Sequence, residues 1–355
     1  MNTHHDIIVK RLKIHTQALA LPLGRRVGQP GHDVARDYLL QRLRRTRLVP
    51  FLGDSFELFY QRPHPITGKP QKFSNLVGVI PGKDRSLPPI LLGAHYDSVI
   101  DAPCVDDNAT SVALNLAIAE EYVLSPLDRD LIIALFDAEE PPFFLGTTMG
   151  SRRFCEDHCQ GIHFAAVIVT DLIGHDLKAT DLYLPPLVET FVPQLHKLVG
   201  VMGTETNGIF PGIVEAAAKK AKGLRVISAP YAYVGPVSDH AAFSKAGQPF
   251  LFLSCGQGKY YHNPEDNMEW INFEKLARIT RFVADIIEQI DQAPPHLDRS
   301  PTDPFELEIR MLRKAFGPAL PLALKFLGIK MPESRQEFDT LFTGLIDGKL
   351  KQLSG

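Results

Sequence analysis

His95 closes the apolar run Ile90–Ala94, Asp97 follows it, and the acid pair Asp106-Asp107 stands just ahead of Asn108 and a stretch of helical apolar spacing. A histidine ending a buried strand, with one carboxylate placed to hold its ring and a second on the next loop, is the beginning of a metal site. Later segments offer further donors. Glu139-Glu140 lies just past the run Leu131–Phe136, Asp171 directly follows Ala165–Thr170, and His262 lies in the loop beyond Pro249–Ser254. Consecutive glutamates at a strand end point in different directions, so one can coordinate a metal while its neighbour faces a substrate. Histidines and carboxylates without thiolates suit catalytic zinc, with manganese or cobalt as substitutes. Two cations held close together need a bridging carboxylate; the pair then binds a carbonyl oxygen and lowers the pKa of a shared water. A free glutamate takes that water's proton and delivers it to a leaving amine.

Such donors must be carried by a scaffold, and strands alternating with helices predict one. The expected fold is α/β: a mixed, mostly parallel central sheet with helices on both faces, where ligands gather outside the carboxyl ends of the strands. Residues 1–50 read as helices, and Val34–Leu48 is amphipathic, its arginines (Arg42, Arg44, Arg45, Arg47) forming a solvated face. Residues 51–80 read as strands with a turn over 63–70. Asn108 or Thr110 is expected to cap a helix running to Tyr122, whose N-terminal dipole favours an ionised Asp107. Ser238-Asp239-His240 opens a short helix, and residues 271–290 form a long amphipathic one. Residues 1–292 are expected to form the catalytic domain, with 182–222, read as helical, inserted near the site. A proline-rich linker, 293–304, leads to a helical C-terminal extension within 293–355.

The bulk numbers narrow the function classes. A formal net charge of -3 leaves no basic excess to neutralise phosphates, which argues against nucleic acid as a partner. No run reaches transmembrane length, and charges interrupt the N-terminus where a secretion leader needs an apolar core, so no membrane association and a cytoplasmic location are expected. Cys104, Cys155, Cys159 and Cys255 then read as free thiols. The spacing of Cys155, His158, Cys159 and His163 fits no common zinc module and reads as a helix turn.

The motifs GAHYDS, VDDNATS, FDAEE, TDLIG, SDHAAF and YHNPED, in this order over residues 75–272, resemble the zinc aminopeptidase superfamily, which includes leucyl-type aminopeptidases, glutamate carboxypeptidase and glutaminyl cyclase. The resemblance implies the zinc-exopeptidase fold, with His95 and Asp171 on one zinc, Glu140 and His262 on the other, and Asp107 bridging. It implies Glu139 as general base and Asp97 as the carboxylate orienting His95. Tyr261 matches an oxyanion-stabilising position, or packs as an aromatic. Asp239 and His240 line the pocket or support its ligands, and Asp266 braces the loop carrying His262. Phe143 and Phe144 are either a specificity wall or core. The resemblance implies a zinc exopeptidase acting on peptide N-termini or small aminoacyl substrates, with two ions favoured. The alternatives are a glutaminyl-peptide cyclotransferase using one zinc, and a non-enzymatic binding protein on the same fold. The short span from His95 to Asp107 departs from leucyl-type enzymes, so that loop forms a different pocket.

Overall fold

The computed structural model describes residues 3–182, 186–191, 194–294, 300–326 and 330–346. Strands β1 (Val49–Pro50), β2 (Glu57–Pro63), β3 (Pro70–Ile80), β4 (Ile90–His95), β5 (Leu131–Phe136), β6 (Ala166–Thr170), β7 (Leu198–Met202), β8 (Arg225–Ala229) and β9 (Phe250–Ser254) form one sheet. Its order is β1-β3-β5-β4-β6-β9-β7-β8, with β2 also paired to β3. The helices are α1 (His4–Leu19), α2 (Pro30–Arg45), α3 (Thr110–Tyr122), α4 (Gly150–His158), α5 (Val188–Phe191), α6 (Phe210–Lys220), α7 (Tyr231–Val234), α8 (His240–Lys245), α9 (Phe273–Gln292), α10 (Phe305–Phe316), α11 (Leu320–Phe326) and α12 (Arg335–Ile346). None of them is long and apolar enough to cross a membrane, among the described residues.

The central strands β5, β4, β6 and β9 are parallel and buried throughout, which is why they read as unbroken apolar runs rather than alternating ones. Alternate residues serve opposite layers. Leu92, Ile133, Ile168 and Leu251 pack with Leu12, Leu116, Ile279 and Val283 from α1, α3 and α9, while Leu91, Ile132, Val167 and Phe252 pack with Phe154 of α4 and Phe243 of α8. Register sets where chemistry occurs. His95 pairs with Phe136, Gly93 with Val169, and Thr170 with Leu253, so four strands end together on one rim.

Two expectations need correction. The helix after Asp107 has no side-chain cap: a tight turn over Val105–Ala109 runs straight into α3, and the Asn108 amide instead donates to the Thr170 carbonyl at 3.1 Å. Segment 182–222 is not helical alone, because β7 lies within it and joins β8 to β9. Residues 183–185 and 192–193 of that segment, 295–299 of the linker, and 327–329 and 347–355 of the C-terminal extension lie outside the described residues.

The N-terminal helices are tied to α3 through Glu120. Its carboxylate takes Arg11 Nε at 3.1 Å, His15 Nε2 at 3.2 Å, and Arg42. Burial pushes this carboxyl up, yet the hydrogen bonds from His15 and Arg42 outweigh it and bring it down to about 2, against an ordinary value of 4.5. A depressed pKa adds stability that is present above the ordinary value and lost as pH falls through the folded one. Glu120→Gln is therefore expected to lower unfolding free energy at neutral pH by about 1–2 kcal/mol, after allowing for solvent contact. Denaturant titration should show that deficit constant above pH 4.5 and shrinking toward pH 2. A deficit independent of pH would contradict the ion-pair account.

Candidate metal centre

His95 emerges from β4 fully buried, and its two ring nitrogens face acids on different loops. Nε2 lies 3.3 Å from Asp107 Oδ1, 3.7 Å from Asp171 Oδ1 and 3.9 Å from Glu139 Oε2, while Nδ1 lies 3.4 Å from Asp97 Oδ1. Across the site, His262 Nε2 is 3.3 Å from Asp107 Oδ2 and 3.2 Å from Glu140 Oε2. Asp107 thus offers one oxygen to each histidine. His95 and Asp171 stand on one side of it, Glu140 and His262 on the other.

Each donor is held by a backbone contact that strand pattern does not reveal. Asp97 accepts the N–H groups of Glu139 and Glu140, both at 3.1 Å, so one carboxylate braces His95 and the glutamate pair together. Asp266 accepts from Asp106 N at 2.9 Å and Asp107 N at 3.1 Å, binding the His262 loop to the Asp107 loop. Asp106 points away from the donors, accepting Gly174 N and facing His175 Nδ1, each at 2.6 Å. Arg25, absent from the expected site, is fully buried beneath the Asp107 loop. Its guanidinium donates to the carbonyls of Leu19, Tyr96, Pro103 and Cys104 at 2.6–2.9 Å, and to Asp107 O at 3.3 Å. Gly24 before it is obligatory: at φ +67°, a Cβ there would sit 2.5 Å from the Ile100 carbonyl oxygen. Ala138, Leu172 and His262 all adopt left-handed backbone (φ +53 to +55°) at or beside Glu139, Asp171 and His262. Such strain, about 1–3 kcal/mol per residue, clusters where geometry serves a site.

The remaining expected residues separate. Asp239 is fully buried with both carboxylate oxygens unpartnered, and burial pushes it up to about 7. His240 packs instead: its ring stacks on Phe252 at 4.1 Å, Nε2 meets Gly235 O at 3.1 Å, and burial lowers it to about 4. Tyr261 stacks on His262 with centroids 3.8 Å apart and also lines the cavity beside the donors; burial pushes its phenol up, keeping it a hydrogen-bond donor. Phe143 is core, edge-on to Phe73 at 5.2 Å, whereas Phe144 lines the cavity. The four cysteines are free and buried.

Packed so closely, the charges oppose one another. Burial drives Glu139 well above the carboxylate range and Glu140 up to about 8, and it raises Asp171. It works the same way on Asp107, but the facing imidazoles of His262 and His95 more than offset it and hold that acid low. Burial disfavours a charged His262, which Asp107 and Glu140 nevertheless raise to about 10. A cation among these groups removes the conflict. The donors fit one. Both nitrogens of His95, His262 Nε2, Glu140 Oε1 and Asp171 Oδ1 are buried without a hydrogen-bond partner. Ligands about 2.05 Å from a tetrahedral zinc stand about 3.3 Å apart, which is the spacing from Asp107 to both histidines. Among the described residues, His95, Asp107 and Glu140 form a group with donor atoms within 4.8 Å of one another.

Comparison with known proteins identifies the family and the fold. The profile of Peptidase family M28 matches residues 75–287. Leucine aminopeptidase 1 of Leptosphaeria maculans is 26% identical over 276 residues, covering 71% of this chain and 63% of that protein, so the chain spans slightly less than two thirds of this relative. Among solved structures, Legionella pneumophila LapB superposes with a TM-score of 0.61 at 18% identity, over 80% of this chain and 72% of LapB. Tannerella forsythia glutaminyl cyclase gives 0.58 at 18% identity, over 79% of this chain and 98% of the cyclase. At these identities the two structures establish the fold alone: a mixed α/β sheet of the zinc-exopeptidase kind.

Asp97 provides the test of how the donors are held. Asp97→Asn keeps the shape but removes the charge shared by His95 and the two glutamate N–H groups. Zinc affinity, measured by chelator competition, should fall about 10–100-fold. Unchanged affinity would contradict the positioning role.

Proposed function

The chain belongs to peptidase family M28, and from that premise we propose that it is a metallo-exopeptidase of the zinc aminopeptidase superfamily, removing residues from peptide N-termini. The observation that carries this reading is the division of Asp107 between His95 and His262, each 3.3 Å from a different oxygen. His95 and Asp171 would hold one zinc, Glu140 and His262 a second, with Asp107 shared. Zinc bound there supplies Lewis acidity toward the scissile carbonyl and lowers the pKa of water.

The chain's own groups do the rest. Glu139 lines the cavity beside the donors, its backbone fixed by Asp97. It takes a proton from the attacking water and passes it to the leaving amine nitrogen. Burial raises its pKa, and with a cation held by the adjacent donors it would be ionised and able to accept that proton. Tyr261, kept protonated beside His262, is positioned to donate to a developing oxyanion. Asp239 lies buried among the acids, and Asp266 holds the two ligand loops in register. His240 takes no part in the chemistry under this reading.

Donors on both sides of Asp107 favour two-ion hydrolysis over single-zinc glutaminyl cyclisation. Product analysis separates them: a glutamine-initiated peptide should release free glutamine, whereas ammonia with a pyroglutamyl product would select cyclisation. Glu139→Gln should retain wild-type zinc content and lose about 10²–10⁴-fold in kcat. Near-normal turnover in that variant would remove Glu139 as the base.

A further inference from the structure

A cavity of about 590 Å³ runs from the metal donors into the protein, lined at one end by Asp107, Glu139, Glu140, Asp171 and His262. Its floor is one face of the sheet beyond β6. On β7 the side chains alternate: Leu198, Gly200 and Met202 face the cavity, while Val199 and Val201 join the main core. Ile227 and Phe252 extend this floor on β8 and β9. The opposite wall comes from the C-terminal helices, through Leu312 and Phe316 of α10, Leu320 and Leu324 of α11, and Leu341 and Phe342 of α12. These helices are anchored by packing Ile309, Leu312 and Phe338 with Ala229 of β8. Leu198 of β7 packs with Ala315 and Phe316 of α10, whereas Gly200, on the same face, contributes no side chain and leaves the space between open.

The helices lie outside the span matched by the family profile, 75–287, so this wall is a feature added to the catalytic core. An apolar cavity of about 150 Å³ holds one benzene ring; this cavity is about four times larger. It lies in the range of about 300–1,000 Å³ that buries drug-sized ligands.

We propose that α10–α12 build the substrate pocket of this enzyme, and that the pocket takes an extended apolar group, longer than a leucine side chain, adjoining the scissile amide. The identity of that amide rests on the exopeptidase reading; the shape and chemistry of the pocket do not. The apolar group is either the side chain of an N-terminal residue or an acyl chain in its place.

The zinc-loaded full chain is titrated calorimetrically with n-alkyl hydroxamates from acetyl to dodecanoyl. Kd should fall about fourfold per methylene, and continue falling past the length of a leucine side chain. Gly200→Leu should end that fall at shorter chains, since a Cβ there meets nothing closer than 3.4 Å and projects from the floor. Leu341→Phe, on the opposite wall, gives the same reading if the glycine variant does not fold. A wild-type series that levels off at leucine length, or both variants retaining the wild-type slope, overturns the proposal. Leucyl amide hydrolysis with a flat hydroxamate series would remove the pocket and leave the exopeptidase. A steep series without any amide hydrolysis would do the reverse. Rates on 2-aminododecanoyl and dodecanoyl amides then distinguish side chain from acyl chain.

Discussion

Four carboxylates and two histidines are forced into one water-poor space around Asp107, and the surrounding structure is built to hold that unfavourable charge in place. Moving a carboxylate out of water costs several kcal/mol unless it is compensated. Here the acids outnumber the histidines, and the atoms that should bind partners face one another without bonding. A cation resolves the conflict, so the site and its metal are thermodynamically coupled: binding free energy becomes folding free energy. The backbone braces follow from the same constraint. Asp97, Asp266 and Arg25 do not add donors; they stop the loops from relaxing apart under mutual repulsion.

The sheet makes that crowding possible. Parallel strands β5, β4, β6 and β9 terminate on one rim; His95 ends β4, Asp171 directly follows β6, Glu139-Glu140 lies just past β5, and β9 leads into the loop carrying His262. Antiparallel neighbours would have turned alternate donors to the opposite end. The segment before residue 75, outside the profile match, is no appendage. Leu12 and Leu39 join the main core, and Arg25 reaches under the Asp107 loop. The C-terminal helices play the corresponding part at the far end of the cavity.

What the sequence discloses follows physical lines. Buried parallel strands announce themselves as apolar runs, so His95, Glu139, Glu140 and Asp171 could be placed at strand ends before any coordinates. Residues whose role runs through a backbone contact leave no such mark. Arg25 is one arginine beside another, and only the folded chain shows four carbonyls of the 96–107 loop, with that of Leu19, converging on its guanidinium. Asp97 reads as a partner of His95 because it is close in sequence, while its bonds to Glu139 and Glu140 span more than forty residues. β7 was hidden for another reason: Leu198, Gly200 and Met202 face a cavity, so the strand is short, interrupted by glycine and flanked by helical residues. Asn108 was misread as a cap because its amide serves the neighbouring strand.

The shared role of Asp107 is the claim on which the account depends. Diffraction from zinc-loaded crystals at the zinc absorption edge tests it directly. Two anomalous peaks should flank Asp107, one beside His95 and Asp171, the other beside Glu140 and His262. A single peak that leaves either pair without an ion, or none between these side chains, would contradict it.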